Sequence, residues 1–280
     1  MDTNQTIPVE TAHLFPILNE MLVALLQSLS PEDWDKPTIA KKWTVKDIAA
    51  HLLDGNMRSI STLRDGYLEA QPETVDSYET LLSWLNWRNH LFTDMAKRIS
   101  PPLLISLLET TGNQLAAFIP TLNPFDQAIF SVAWAGEETS LNWFHIAREY
   151  TEFFLHQQQI RHAVNKPGLI TPQLFYPFID TFMYGMPHAL RHLEAPLDSR
   201  ITIKVNTEAG GEWHFAQQAN GWQRLKESHG QADCTVTMDP DTAWQLFSKG
   251  ISPQQALPLV QMTGNVSYGQ SVLGMVAVMA

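Results

Sequence analysis

The chain has 280 residues, 44% of them hydrophobic and 17% charged, so one large domain or two ordinary ones can fold without disulfide staples. The one cysteine, Cys234, excludes an internal disulfide framework and any cysteine-built zinc cluster; a bound metal must be held by His and carboxylate groups. A formal charge of −11 with no Lys/Arg cluster excludes a phosphate-backbone partner, which needs a basic face.

Residues 1–8 are polar, with no basic lead and no apolar core, and do not read as a signal peptide. The apolar stretch at 21–26 is far too short to span a bilayer, so a soluble cytoplasmic protein without nucleic-acid or membrane partners is expected. Apolar residues at helical spacing predict a helix over 9–29, ended by Ser30-Pro31. Thr44 followed three residues later by Asp47 resembles a capping box and predicts a helix from Val45 to about Arg64. A third helix, rich in Trp and Leu, is predicted over 78–99, and a shorter one over 103–119 before Pro120. Residues 141–164 form another long helical stretch, stopped by Lys166-Pro167-Gly168. One more runs over 171–193, with Gly185 and Pro187 expected to bend or break it.

Near residue 196 the pattern changes. Residues 200–206, 212–217 and 234–238 alternate apolar and polar, and Gly221-Trp222 opens a further strand toward Leu225. Helices then return at 242–249, after Ser252-Pro253, and at 268–279. The expected fold is mainly α and then α+β: a helical bundle over 1–195, a linker at 194–199, and a small antiparallel sheet with helices over 196–280.

Chemistry concentrates on the helix over 141–164. Phe144, Ile146, Tyr150, Phe153, Phe154, Leu155 and Ile160 surround it, and a helix apolar on every side is buried. Glu152 and His156, four residues apart, rise from one face of it; ionisable groups on a buried helix must be paired or bound to metal. His51, at the edge of the apolar stripe Ile48, Ala49, Leu52 and Leu53, supplies a second imidazole. Two imidazoles and a carboxylate with open positions are a ligand set for zinc and related metals. A helix-stabilising Glu–His pair is the plainer reading, and His145–Glu149 is a rival pair that helical spacing alone does not separate from the first.

The segment Trp43-Thr44-Val45-Lys46-Asp47-Ile48-Ala49-Ala50-His51-Leu52-Leu53-Asp54 resembles the signature of the DinB/YfiT-like bundle proteins. Glu152, His156 and the run Gln159-Ile160-Arg161-His162-Ala163 resemble the E-x-x-x-H-x-x-D-I-R-x-A run of the branch named for mycothiol-dependent maleylpyruvate isomerase. Residues 232–236, the helix at 241–249 and Thr263-Gly264-Asn265 resemble that branch's small sterol-carrier-like domain. The resemblance implies a four-helix bundle with long connections and selects His51, Glu152 and His156 as metal ligands over the rival pair. It implies a divalent metal, zinc first and nickel or another ion second, and a low-molecular-weight thiol activated to add to an electrophilic small molecule, by isomerisation or by stable S-conjugation. A homo-oligomer is compatible with it. A hydrolase using metal-bound hydroxide, or a non-enzymatic protein binding a metal or an apolar ligand, are the alternatives. Gln159 departs from the run, standing where an acid is usual, which puts the outer support of the ligands in question. Arg224 is read either as a solvent-facing strand residue or as a group for a substrate carboxylate. Trp84, Trp87 and Trp134 read as core or as pocket lining.

Overall fold

The computed structural model describes residues 6–70, 76–227 and 230–278. Most of the polar N-terminal stretch (residues 1–5) and the end of the expected last helix at residue 279 lie outside them. The chain divides into two compact units: one holds Glu10–Ile129 and Glu149–Gly168, the other Phe130–Arg148 and Leu169–Val278.

The first unit is helical. A 3-10 turn at Ala12–Leu14 leads into α1 (Phe15–Gln27), where Pro16 sits in the first turn and needs no hydrogen-bond partner for its missing N–H. It is followed by α2 (Val45–Ser59), α3 (Tyr78–Ala96) and α4 (Pro101–Phe118). The predicted helix beyond Val45 reaches Arg64 with a change of winding: residues Ile60–Arg64 form a π turn, in which Asp65 N donates to Ile60 O at 3.1 Å. α4 packs on both α1 and α2, and α3 packs on α2. The fourth side of the bundle is α5 (Asn142–Val164), from Glu149 onward. It meets α1 through Phe15, whose ring lies 6.2 Å from Tyr150 and 5.6 Å from Phe153, both in edge contact. Arg161, buried on α5, donates to Met21 O on α1 and to the carbonyls of Lys166 and Pro167 in the turn that follows its own helix. Tyr150, Phe154 and Ile160 are fully buried, as expected of a helix apolar all round, each contributing roughly 2 kcal/mol of burial.

In the second unit, α6 (Pro172–Met183) ends before Gly185, and α7 (Met186–Ala189) carries Pro187 in its first turn, so the expected long helix breaks in this region. Gly185 is required there because a Cβ would lie 2.8 Å from the Trp134 ring. The sheet runs β1 (Arg200–Val205), β2 (Gly211–Gln218), β3 (Gly221–Leu225), β4 (Cys234–Met238) and β5 (Gln261–Gly264), in the spatial order β3-β2-β1-β4-β5. Ile201, Ile203 and Val205 share one buried face with Phe215 and Trp213 of β2 and with Cys234, Val236 and Met238 of β4. α10 (Val266–Leu273) packs on β4 and β5 and α7 on β3, while α8 (Pro240–Phe247) meets α6 and α9 (Pro253–Ala256), with Trp244 and Phe247 fully buried.

Two details correct the sequence reading. The sheet is mixed, because β4 runs parallel to β1. A parallel neighbour usually needs a long crossover, but β3 ends at Leu225, opposite His214, which in turn faces Thr202 near the start of β1. Along the strand direction the chain therefore has little distance to recover before Cys234 pairs beside Ile201, although it crosses β2 and β1 to get there. The fifth strand, β5, is a four-residue edge segment with no alternating apolar face, and its register ends at Gly264, where φ is +80° and a Cβ would meet Asp233 O at 2.0 Å.

Arg224 is neither solvent-facing nor unengaged. It donates to the buried Asp180 carboxylate at 2.5 Å and to Asp180 O, its guanidinium lies 4.4 Å from the centre of the Tyr184 ring, and Asp180 also accepts from Trp213 Nε1 at 2.6 Å. No helix among the described residues is long and apolar enough to cross a membrane.

Two stability outcomes follow. Asp180→Ala strands the Arg224 cation and the Trp213 N–H, and is expected to cost about 3 kcal/mol in urea denaturation. Thr44→Ala, which removes the cap of α2, is expected to cost about 1 kcal/mol by the same measurement.

Candidate metal centre

The site begins with the way α2 is started. Thr44 Oγ1 accepts from Asp47 N at 3.3 Å while the Asp47 carboxylate accepts from Thr44 N at 2.9 Å, the reciprocal capping box that the sequence spacing indicates. The loop leading to it is closed by a bridge between Pro37 and Thr44, and Val45 N donates to Lys36 O at 3.0 Å. Within the loop the carbonyl of Trp43 accepts from both Thr38 N, at 3.1 Å, and Thr38 Oγ1, at 2.8 Å. Cap and loop together fix where Trp43 stands and, about two helical turns later, where His51 projects.

His51 on α2 meets Glu152 and His156 on α5. One ligand atom from each of the three lies within 4.8 Å of the others. His156 Nε2 is 3.3 Å from Glu152 Oε2, and the His51 and His156 rings stand 4.7 Å apart at 78°. Trp43 covers the pair, its ring 4.7 Å from His51 and 5.9 Å from His156. His51 Nδ1 is buried with no hydrogen-bond partner among the described residues. Burial, reinforced by the neighbouring His156 and opposed by Glu152, holds the His51 pKa well below the usual imidazole value, so this ring is neutral and offers a lone pair. The His156 side chain is 10% exposed and that of Glu152 26%, leaving the carboxylate side open to solvent.

Among the described residues, these three form the group of His, Cys, Asp and Glu side chains close enough to hold a metal ion. The rival pair is placed otherwise. Glu149 faces Ser59, whose hydroxyl donates to its carboxylate at 3.5 Å, and His145 lies in the second unit with its ring 6.2 Å from that of Phe130. The donor chemistry fits a divalent ion: two imidazoles, one carboxylate and an approach from solvent. Gln159, which breaks the family pattern, is buried beside the site with its Oε1 2.9 Å from His156 Nδ1.

Trp43 is a site residue that the sequence marks only as part of a signature; nothing in helical periodicity assigns a role to a residue preceding the cap. Trp87 is exposed on α3 and Trp134 is buried in the second unit, so neither belongs to the cluster.

The family model described as the mycothiol maleylpyruvate isomerase N-terminal domain matches residues 16–161, more than half of the chain. The model of the SCP-2 sterol transfer family matches residues 187–275. No curated protein matches the sequence. Among solved structures, the chain is similar to the mycothiol-dependent maleylpyruvate isomerase at 11% identity and a TM-score of 0.54, covering 93% of this chain and 94% of that one. A histidine-to-alanine mutant of that enzyme matches at 9% identity and a TM-score of 0.56 with the same coverage. At such identities the likeness is one of fold, and it extends over both the helical region and the sheet that follows.

Proposed function

The chain belongs to the mycothiol maleylpyruvate isomerase N-terminal domain family, and from that premise we propose that it is a metal-dependent enzyme that adds a small thiol to an electrophilic small molecule. The observation that carries the proposal is the convergence of His51, Glu152 and His156 within 4.8 Å from two helices far apart in sequence. These residues hold a divalent ion, zinc first and nickel or another divalent ion second. A cation bound there supplies the positive charge that keeps a thiol ionised at neutral pH.

The protein's own groups do the rest. Burial keeps His51 neutral, and so able to act as a ligand, at pH values where an exposed imidazole takes up a proton. The Glu152 carboxylate contributes the anionic donor on the solvent side. Trp43 lays an apolar ring against both imidazoles, which limits water beside a site where a nucleophile must survive. The product is either an isomer released after transient addition or a stable S-conjugate. In this reading the bundle over 1–195 carries the chemistry, and the α+β part over 196–280 is a small sterol-carrier-like domain.

Elemental analysis of protein purified without chelator or nickel resin is expected to find about one divalent ion per chain, falling to near zero in His51→Ala or His156→Ala and unchanged in His145→Ala. The wild-type protein reconstituted with zinc is expected to consume thiol in a panel assay with electrophiles. Absence of both metal and thiol consumption would sink the proposal; water incorporated into product without loss of thiol would turn it into a hydrolase.

A further inference from the structure

A metal-ligating imidazole needs an unprotonated nitrogen toward the ion, and what its other nitrogen meets decides which one that is. His156 has two close neighbours. Its Nε2 faces Glu152 Oε2 at 3.3 Å, and its Nδ1 faces Gln159 Oε1 at 2.9 Å. Both His156 and Gln159 are buried, and Gln159 lies one helical turn beyond His156 on α5. A carbonyl oxygen only accepts, so this contact requires the proton on Nδ1. Neutral His156 then points the bare lone pair of Nε2 at the Glu152 carboxylate. Two acceptors at that distance repel each other unless a cation lies within reach of both.

The opposite amide orientation would be self-consistent in another way. The Gln159 NH2 group would donate to Nδ1, Nε2 would carry the proton, and His156 would donate it to Glu152. That arrangement closes the Glu–His pair on itself and withholds Nε2 from any metal. The two orientations of one side-chain amide thus separate a ligand from a simple helix pair.

The geometry points to Gln159 as the positioning residue of the centre: its amide carbonyl accepts from His156 Nδ1 and so presents Nε2 bare beside Glu152 and His51. A neutral amide thereby fills the place where the family's pattern often has an acid. The inference rests on the metal-centre reading for its purpose, but the proton position on His156 is a property of the metal-free chain.

Two measurements test it on the full-length protein. Nitrogen-15 NMR of the metal-free wild type, at a pH where the ring is neutral, is expected to show His156 protonated on Nδ1; a proton on Nε2 would overturn the inference. Zinc affinity is then measured by competition with a chromophoric chelator, and site geometry by the visible spectrum of the cobalt-loaded protein. Gln159→Met, close in shape but without an acceptor, is expected to bind about ten- to hundredfold more weakly with an altered cobalt spectrum, and Gln159→Glu, which can only accept, to restore both. Wild-type affinity in Gln159→Met, or failure of Gln159→Glu to rescue, counts against Gln159. A wild type that takes up neither zinc nor cobalt counts against the metal centre instead, and the NMR result still judges the amide.

Discussion

On a helix buried on every side, each polar group left unpaired costs on the order of 1–3 kcal/mol. α5 is such a helix, with Tyr150, Phe154 and Ile160 fully buried, and it carries Glu149, Glu152, His156, Gln159 and Arg161 among them. Much of the bundle's design follows from placing partners for these groups. Ser59 of α2 meets Glu149, Met21 of α1 meets Arg161, and His51 of α2 arrives beside Glu152 and His156. The same need to satisfy buried polarity thus locks the packing and assembles the candidate centre.

The second unit answers an equivalent demand with a different device. Asp180 on α6 is buried and gathers Arg224 of β3 and Trp213 of β2, so one carboxylate ties a helix to two adjacent strands. A charge pair of this kind adds little net stability over a well-packed apolar one, but it tolerates the loss of neither partner. Its directional hydrogen bonds also favour one register of α6 against the sheet. The apolar face built from Ile201, Ile203, Phe215 and Val236 fills the space without specifying direction.

What the sequence disclosed depended on how local the physics was. The start of α2 was legible because a capping box is a four-residue device, and Thr44 with Asp47 forms it as read. The strands β1, β2 and β4 were legible from alternation, whereas β5 has almost nothing to bury and left no pattern. The parallel pairing of β1 with β4 was not legible, since it depends on where β3 stops relative to β1, a relation between strands and not within one. For the site, spacing put Glu152 and His156 on one face but did the same for His145 and Glu149. Which pair meets His51 is set by the rotation of α5 against α2, and only the family signature carried that information in the chain.

The loop ahead of α2 has a consequence for how much of the centre is set by a single short piece of chain. Residues 36–45 close on themselves through Lys36, Pro37, Thr38 and Thr44, and they deliver the covering ring of Trp43 and the origin of the His51 helix together. The ring that lies against the imidazoles and the helix that carries His51 therefore spring from one segment. A displacement that lifts the indole also shifts the first turn of α2, so the cover and the ligand alignment are mechanically coupled. Cover and ligand are set by the same short segment, and neither can be moved without the other.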